Sequence, residues 1–278
     1  MNNQVFSWSR FVLALRKEIV ENWRQLTLAL VVLYVVMTVL MLFGNWAFSD
    51  NITEEAVVLR SLVVFYAFSI STIIMASLAF RGLLSKADRT ELFTSPSSMT
   101  EKFTVNVLVY VVAYIIAFFI IVQLADLTRF VLLLPARSET FIVPGPINFI
   151  PSVTDFLSTV TPSGEMKHLQ IFKAGILVSL VASPGMYLLG STLWPRLSFL
   201  KTLAVSYGIS LLVFIVGMIL ICSTTSPRDV AFLVVEKMQD GTFAIGTFIA
   251  AAVQAVLYWW LAWVVFRRKD IVSRGVFH

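Results

Sequence analysis

The segment Phe103–Leu124 reads FTVNVLVYVVAYIIAFFIIVQL, which is 22 residues without Asp, Glu, Lys, Arg or His. At 1.5 Å per residue a helix of this length rises about 33 Å, enough to cross the ~30 Å hydrocarbon core of a bilayer. No water is present there to satisfy the backbone, so such a stretch is stable in lipid as a helix. The segment therefore predicts one membrane-spanning helix.

Five further charge-free runs of similar length meet the same criterion: Leu26–Trp46, Leu62–Phe80, Ala174–Leu193, Leu203–Cys222 and Ala244–Phe266. The whole chain is 58% hydrophobic and 13% charged, with a mean hydropathy of +0.87. Soluble domains carry about 25% charged residues, so water is excluded as the main solvent. We expect an all-α polytopic membrane protein, one transmembrane domain over residues 1–278 with a six-helix core at 26–266.

The basic residues are distributed unequally between the two sides that six spans define. The side of the termini holds 14 of the 21 basic and 6 of the 16 acidic residues, a net charge of +8, whereas the other side carries −3. Positive loops stay in the cytoplasm, so both termini are predicted to be cytoplasmic. This places loop 81–102 and tail 267–278 inside, and loops 126–173 and 223–243 outside.

Residues 1–25 show apolar side chains at three- and four-residue steps, including Trp8, Phe11, Ile19 and Trp23, with charged residues between them. This pattern predicts an amphipathic helix lying in the plane of the inner membrane surface. The alternative is a cytoplasmic extension of the first spanning helix. Either arrangement precedes the first apolar run and is not a cleavable signal peptide.

Two local features predict details of the backbone. Ser98 and Glu101 have the spacing of a capping box, which would begin the third spanning helix, and the preceding polar segment predicts a short helix followed by a turn at 95–98. Pro184 lies inside the fourth span, where it removes one helical hydrogen bond. Neighbouring helices are expected to compensate.

Catalytic motifs are missing from the sequence. Gly185 and Gly190 have the first spacing of a phosphate loop, but Ser191 stands where lysine is needed. The chain contains two histidines and one cysteine, too few for most metal sites or for a disulfide. Proton- or cation-coupled carriers usually keep ionisable groups inside the membrane, and the six predicted spans have none. We expect no enzyme activity, no metal and no cofactor in this chain.

The segment ELFTSPSSMTEKF, residues 91–103, is similar to the Leu-Pro-Ala-Ser-x-x-Glu-Lys signature of bacterial permeases of type-two ABC exporters. Pro96, Ser98, Glu101 and Lys102 match it, whereas Ser95 and Ser97 replace the leucine and the alanine. The arrangement of an in-plane helix, six spans and an inner loop between spans two and three resembles the same family over nearly the whole chain.

The resemblance implies a permease subunit in the bacterial cytoplasmic membrane that exports an apolar or amphipathic substrate. It also implies cytoplasmic ATPase subunits and a second permease copy, or a related permease, as partners, with no nucleic acid. Residues 82–94 would hold the helix that docks into the ATPase, and its charged face would be formed by Arg81, Lys86, Asp88, Arg89 and Glu91. The alternative is a membrane scaffold or sensor that holds a signalling partner and moves no substrate.

Overall fold

The computed structural model describes residues 6–47, 54–133, 169–224 and 242–274. Of the residues in these ranges, 92% are helical and none lies in a strand. Six of the helices are long and apolar enough to cross a membrane. The all-α class and the number of candidate spans are therefore confirmed.

The chain divides into two compact units, Met1–Met75 with Pro96–Pro162 (unit 1) and Ala76–Ser95 with Ser163–His278 (unit 2). The elements, in chain order, are α1 Trp8–Ala47, α2 Glu54–Leu78, a 3-10 turn Arg81–Leu83, α3 Lys86–Thr94, α4 Met99–Val107, a π-helical stretch Leu108–Ala113, α5 Tyr114–Leu133, α6 Leu169–Leu193, α7 Ser198–Thr224 and α8 Thr242–Arg274.

The first helix is continuous over 40 residues, from Trp8 to Ala47. Residues 8–43 contain neither glycine nor proline, so nothing in the backbone interrupts it between the amphipathic segment and the apolar run. This continuity favours an extension of the first spanning helix over a separate helix at residues 1–25. The in-plane orientation stays a prediction.

In unit 1, α1 lies beside the helix formed by α4, the π-helical stretch and α5. Three polar contacts join the two: Ser7 with Glu101, Glu18 with Tyr110, and Tyr34 with Thr128. The sequence separation is 94, 92 and 94 residues, so both helices advance together and run parallel. The contacts extend over 27 residues of each helix, or about 40 Å. Phe68 of α2 packs edge-on against Phe118 with ring centroids 5.1 Å apart.

The third spanning helix continues beyond its predicted end, which corrects the expected start of the outer loop. Residues 126–133 are helical, although the sequence placed them in loop 126–173. Asp126 and Arg129 lie on this extension, one turn apart, with Nε of Arg129 donating to Oδ1 of Asp126 at 2.9 Å. Their side chains are 1% and 2% exposed. Because the two charges neutralise each other and are buried, the helix can continue where the sequence suggested a solvated loop.

In unit 2, α6 packs against α8. Side-chain donors form hydrogen bonds with two backbone carbonyls that precede Pro184 in α6. The carbonyl of Leu180, which has lost its helical donor to the proline, accepts from the Ser183 hydroxyl at 3.2 Å. The next carbonyl, of Val181, accepts from the indole Nε1 of Trp259 on α8 at 3.0 Å. The carbonyl that lost its donor is thus satisfied within α6, and the neighbouring helix α8 donates to the carbonyl that follows it.

Glycines allow close helix approach in unit 2. A Cβ built on Gly185 would lie 2.7 Å from Nε1 of Trp259, and one built on Gly190 would overlap the side chain of Thr202 on α7. Both positions therefore need a residue without a side chain.

The remaining predicted loops lie mostly outside the described residues. Residues 134–168 of the first outer loop, 225–241 of the second and 275–278 of the tail belong to these parts. Within the described part of tail 267–278, helix α8 continues to Arg274.

Candidate functional site: the segment between α2 and α4

The predicted coupling segment contains the short helix and the turn that its sequence indicates. A 3-10 turn covers Arg81–Leu83, α3 covers Lys86–Thr94, and bends follow at 95–97 before α4 begins. Residues 81–95 belong to unit 2 and residues 96–102 to unit 1, so each half is described by itself.

The first half is fixed by a buried apolar anchor and a charged side chain. Leu83 is buried, and its backbone carbonyl accepts from the Arg89 guanidinium at 2.9 Å. A hydrogen bond from a charged donor is about twice as strong as a neutral one, so Arg89 holds the 3-10 turn against α3. The guanidinium therefore has a structural role besides its charge.

The charged surface of this half is accessible where it is described. Arg81, Arg89 and Glu91 are exposed, and their contact with a partner stays a prediction. Lys86 and Asp88 lie on α3, but their side chains are outside the described part of the structure. Three of the five predicted docking residues are thus placed on the surface.

The second half contains the predicted capping box. The hydroxyl of Ser98 accepts from the backbone N–H of Glu101 at 3.2 Å, and Oε2 of Glu101 accepts from the backbone N–H of Ser98 at 2.7 Å. Pro96 is exposed in the preceding turn. The capping box is confirmed, and it explains two of the four motif residues by local helix chemistry.

Glu101 also reaches the beginning of α1, which the sequence did not predict. Its Oε1 accepts from the backbone N–H of Ser7 at 2.7 Å and lies 3.4 Å from the guanidinium of Arg10. The Glu101 side chain is fully buried. One carboxylate thereby satisfies the amide groups of Ser7 and Ser98 at the beginnings of two helices, where the helix dipoles favour a negative charge.

Lys102 does not belong to an exposed charged surface. It is 6% exposed, its backbone N–H donates to the carbonyl of Ser98 at 3.0 Å, and its own carbonyl accepts from the side chain of Asn106. Pro96, Ser98, Glu101 and Lys102 therefore form the structured beginning of α4, with three of the four side chains buried.

A second contact between α1 and the third spanning helix involves Glu18, which the sequence prediction did not single out. Oε1 of Glu18 accepts from the Tyr110 hydroxyl at 3.1 Å and from the side chain of Asn22 at 2.8 Å. Tyr110 belongs to the π-helical stretch. The four-residue spacing of Glu18 and Asn22 is visible in the sequence, but the partner 92 residues away is not.

No catalytic chemistry follows from these groups. The carboxylates of Glu101 and Glu18 accept hydrogen bonds that join helices. The exposed charged residues of the coupling segment lie on the 3-10 turn and on α3. Among the residues that the structure describes, no group of three or more His, Cys, Asp or Glu side chains is placed to hold a metal ion. The expected lack of metal, cofactor and enzyme activity stays a prediction.

Comparison of the chain with protein-family models, with curated proteins and with solved structures gives no match. The arguments about function therefore depend on the residues and geometry described above.

Proposed function

We propose that this chain is the membrane-spanning permease subunit of an ATP-driven ABC exporter. A separate cytoplasmic subunit would hydrolyse ATP, and this chain would move an apolar or amphipathic substrate, together with a second copy or a related permease. The observation that carries the proposal is α3, a nine-residue helix with exposed charges that lies in the sequence between α2 and α4. A short helix in this position offers a compact surface on which a partner can act.

The parallel packing of α1 and α4–α5 supports the membrane topology of this proposal. In a chain with alternating spans, the first and third helices cross the membrane in the same direction, and α1 and α4–α5 run parallel within unit 1. With basic residues concentrated on the side of the termini, the proposed location is the bacterial inner membrane with both termini in the cytoplasm.

The N-terminal part of α1 is proposed to lie at the inner membrane surface. Trp8 and Trp23 are exposed on it, and so are Arg16 and Arg24, a combination that suits the boundary between acyl chains and head groups.

Charge reversal on α3 tests the proposal. Tagged wild-type protein and the variants Arg89→Glu and Glu91→Lys are each purified from the native cells. The ATPase activity that co-purifies with each is then measured. Arg268→Glu is the matched control, since Arg268 is exposed near the predicted inner end of α8. Glu91→Lys is the cleaner of the two α3 variants, because Arg89 also holds Leu83.

We expect wild-type protein and Arg268→Glu to carry equal ATPase activity, and Glu91→Lys to carry about tenfold less, as when a charged contact worth 1.4 kcal/mol is lost. Absence of ATPase from the wild-type complex would contradict the exporter. If both α3 variants carry as much ATPase activity as wild-type protein, α3 is not the helix that docks into the ATPase. A signalling protein in place of the ATPase, with no ATP-dependent movement in proteoliposomes, would favour the scaffold.

A further inference from the structure

The exposed face of the first part of α1 carries two arginines whose charge no neighbouring carboxylate balances. Arg16, Val20 and Arg24 follow one another at four-residue steps, so they lie on one face of the helix, and all three are exposed. Among the described residues, no carboxylate forms an ion pair with Arg16 or Arg24. Lys17 is instead paired with Glu21 at 3.6 Å. This face therefore offers two positive charges to a partner outside the chain.

The depth of this face follows from the helix beside it in unit 1. The contacts of Glu18 with Tyr110 and of Tyr34 with Thr128 place each residue of α1 level with the residue 92–94 positions later. Arg16 therefore lies level with about residue 109, and Arg24 with about residue 117.

The lipid-facing part of the third spanning helix begins between these two levels. Within residues 103–111 only Thr104 is exposed, so the apolar side chains of this stretch are largely covered by the protein itself. Exposed apolar side chains begin at Val112 and continue with Ile116 and Ile120. In the proposed topology the hydrocarbon layer therefore begins near Val112, about 5 Å beyond the level of Arg16 and about 8 Å before the level of Arg24.

The length of the exposed apolar surface supports this boundary. A layer of about 30 Å that begins at Val112 ends near Leu132, and both residues are exposed and apolar. The two charged residues between them, Asp126 and Arg129, are buried. Acyl chains would thus meet no charged side chain of this helix.

Arg24 can reach the head groups from its deeper level. Helical side chains lean toward the N-terminal end of their helix, and long basic side chains extend to the membrane interface. The N-terminal end is cytoplasmic in the proposed topology, so we expect the guanidinium of Arg24 at the same interface as that of Arg16. It lies 5.7 Å from the ring centre of Trp23, an exposed residue of the type that occupies this boundary.

We propose that Arg16 and Arg24 form a binding surface for the phosphate groups of acidic phospholipids in the inner leaflet. The inference rests on the proposed position of this part of α1 at the inner membrane surface. A guanidinium group binds phosphate oxygens through two parallel hydrogen bonds. Val20 and Trp23, which are 61% and 54% exposed, add apolar contact for the beginning of the acyl chains.

Charge balance favours acidic lipids over zwitterionic ones. A zwitterionic head group carries an ammonium that compensates its own phosphate, so it leaves the charge of each arginine unbalanced. An acidic head group balances one arginine. Each basic residue close to acidic lipids strengthens the association about fivefold, which corresponds to about 1 kcal/mol. The two arginines together therefore predict a preference of about 30-fold.

The test measures which lipids collect at this face of the full-length protein. Val20→Cys, in a Cys222→Ser background, carries a bimane fluorophore between the two arginines, and the protein is reconstituted in phosphatidylcholine bilayers. Quenching by nitroxide-labelled phosphatidylglycerol, which is acidic, is compared with quenching by nitroxide-labelled phosphatidylethanolamine, which is zwitterionic.

Three double variants are made in this labelled protein. Arg16→Gln/Arg24→Gln removes both charges, and Arg16→Lys/Arg24→Lys keeps them. The matched control, Lys17→Gln/Glu21→Gln, removes an exposed ion pair from the same helix without a change in net charge. All the replaced side chains are exposed, so each variant is expected to unfold at the same detergent concentration as the labelled parent protein.

We expect phosphatidylglycerol to be enriched about 30-fold over phosphatidylethanolamine at the fluorophore in the parent protein. The control should keep this enrichment, the lysine variant should keep most of it, and the glutamine variant should lose it. Equal quenching by both lipids in the parent protein would overturn the proposal. So would an enrichment that persists in the folded glutamine variant, or one that inorganic phosphate displaces, since the arginines would then bind a soluble anion.

The outcome is independent of the exporter assignment, which co-purified ATPase activity decides. Enrichment of phosphatidylglycerol in a protein without an accompanying ATPase would leave the lipid surface standing and the exporter refuted. An ATPase complex whose permease shows no enrichment would refute only the lipid surface.

Discussion

Replacing Glu101 by alanine removes the acceptor that the beginnings of α1 and α4 share. The backbone N–H groups of Ser98 and Ser7, each 2.7 Å from a carboxylate oxygen, would both lose their partner. Hydrogen bonds to a charged group contribute about 1.5–3 kcal/mol each, so two give about 3–6 kcal/mol. The ion pair between Arg10 and Glu101 contributes little to the free energy of unfolding, because the Arg10 side chain is 31% exposed and the contact is 3.4 Å long.

We therefore expect Glu101→Ala to lower the free energy of unfolding by about 4 kcal/mol. Glu101→Gln should cost roughly half, since its amide oxygen can serve one N–H while its NH2 group faces the other. Glu21→Ala, at an exposed position of α1, is the matched control. It removes an exposed ion pair with Lys17 at 3.6 Å, which is worth about 0.5 kcal/mol.

The free energy of unfolding is measured by titration with sodium dodecyl sulfate in mixed micelles, and the local effect by hydrogen exchange of the Ser7 and Ser98 amides. A loss of 4 kcal/mol corresponds to about a thousandfold faster exchange at both amides. If Glu101→Ala costs less than about 1 kcal/mol and the Ser7 amide exchanges at the wild-type rate, Glu101 does not join the two helices, and the reasoning is refuted.

Two further predictions concern unit 2. Gly190→Ala should destabilise the protein by about 1–3 kcal/mol, because the new Cβ would overlap the side chain of Thr202; Gly208→Ala, at a helical glycine with nothing within 4 Å, should instead be neutral or stabilise by up to about 1 kcal/mol. Trp259→Phe should cost about 1 kcal/mol, because it removes the indole donor from the carbonyl of Val181, three residues before the proline of α6.

The same detergent titration measures both effects. Trp260→Phe, on an exposed position of α8, is the control for the indole and should change stability by less than about 0.5 kcal/mol. Equal unfolding free energies for the two alanine variants would show that α6 and α7 do not approach closely at Gly190. Equal values for the two phenylalanine variants would show that the Trp259 hydrogen bond contributes nothing.

The local parts of the structure were predictable from the sequence, and the long-range parts were not. Ser98 and Glu101 are three residues apart, and helix geometry alone determines how they cap α4. The partner of Glu101 at Ser7 depends on how α1 packs, which no local pattern contains. The six candidate spans were predicted from the charge-free runs, because length and hydropathy are sufficient to identify helices that can cross a membrane.

The end of the third helix shows why charge is an unreliable boundary. The sequence prediction ended the span at Leu124 because Asp126 follows, whereas the helix continues to Leu133. The three-residue spacing of Asp126 and Arg129 is a signal that was present in the sequence and supports an ion pair on one helix face. The continuity of α1 had a similar signal, since residues 8–43 lack any helix breaker.

The separation of 92–94 residues between contacting partners has a consequence for biogenesis. Synthesis adds about 5–20 residues per second. Helix α1 therefore leaves the ribosome roughly 5–20 s before its hydrogen-bond partners Glu101, Tyr110 and Thr128. During this interval Tyr110 has not been synthesised, so Glu18 lacks this hydrogen-bond donor. Helix α1 therefore stays at the insertion machinery or at the lipid boundary without its partner helix. Slowing translation between codons 50 and 100 should prolong this exposed period and increase degradation of the nascent chain.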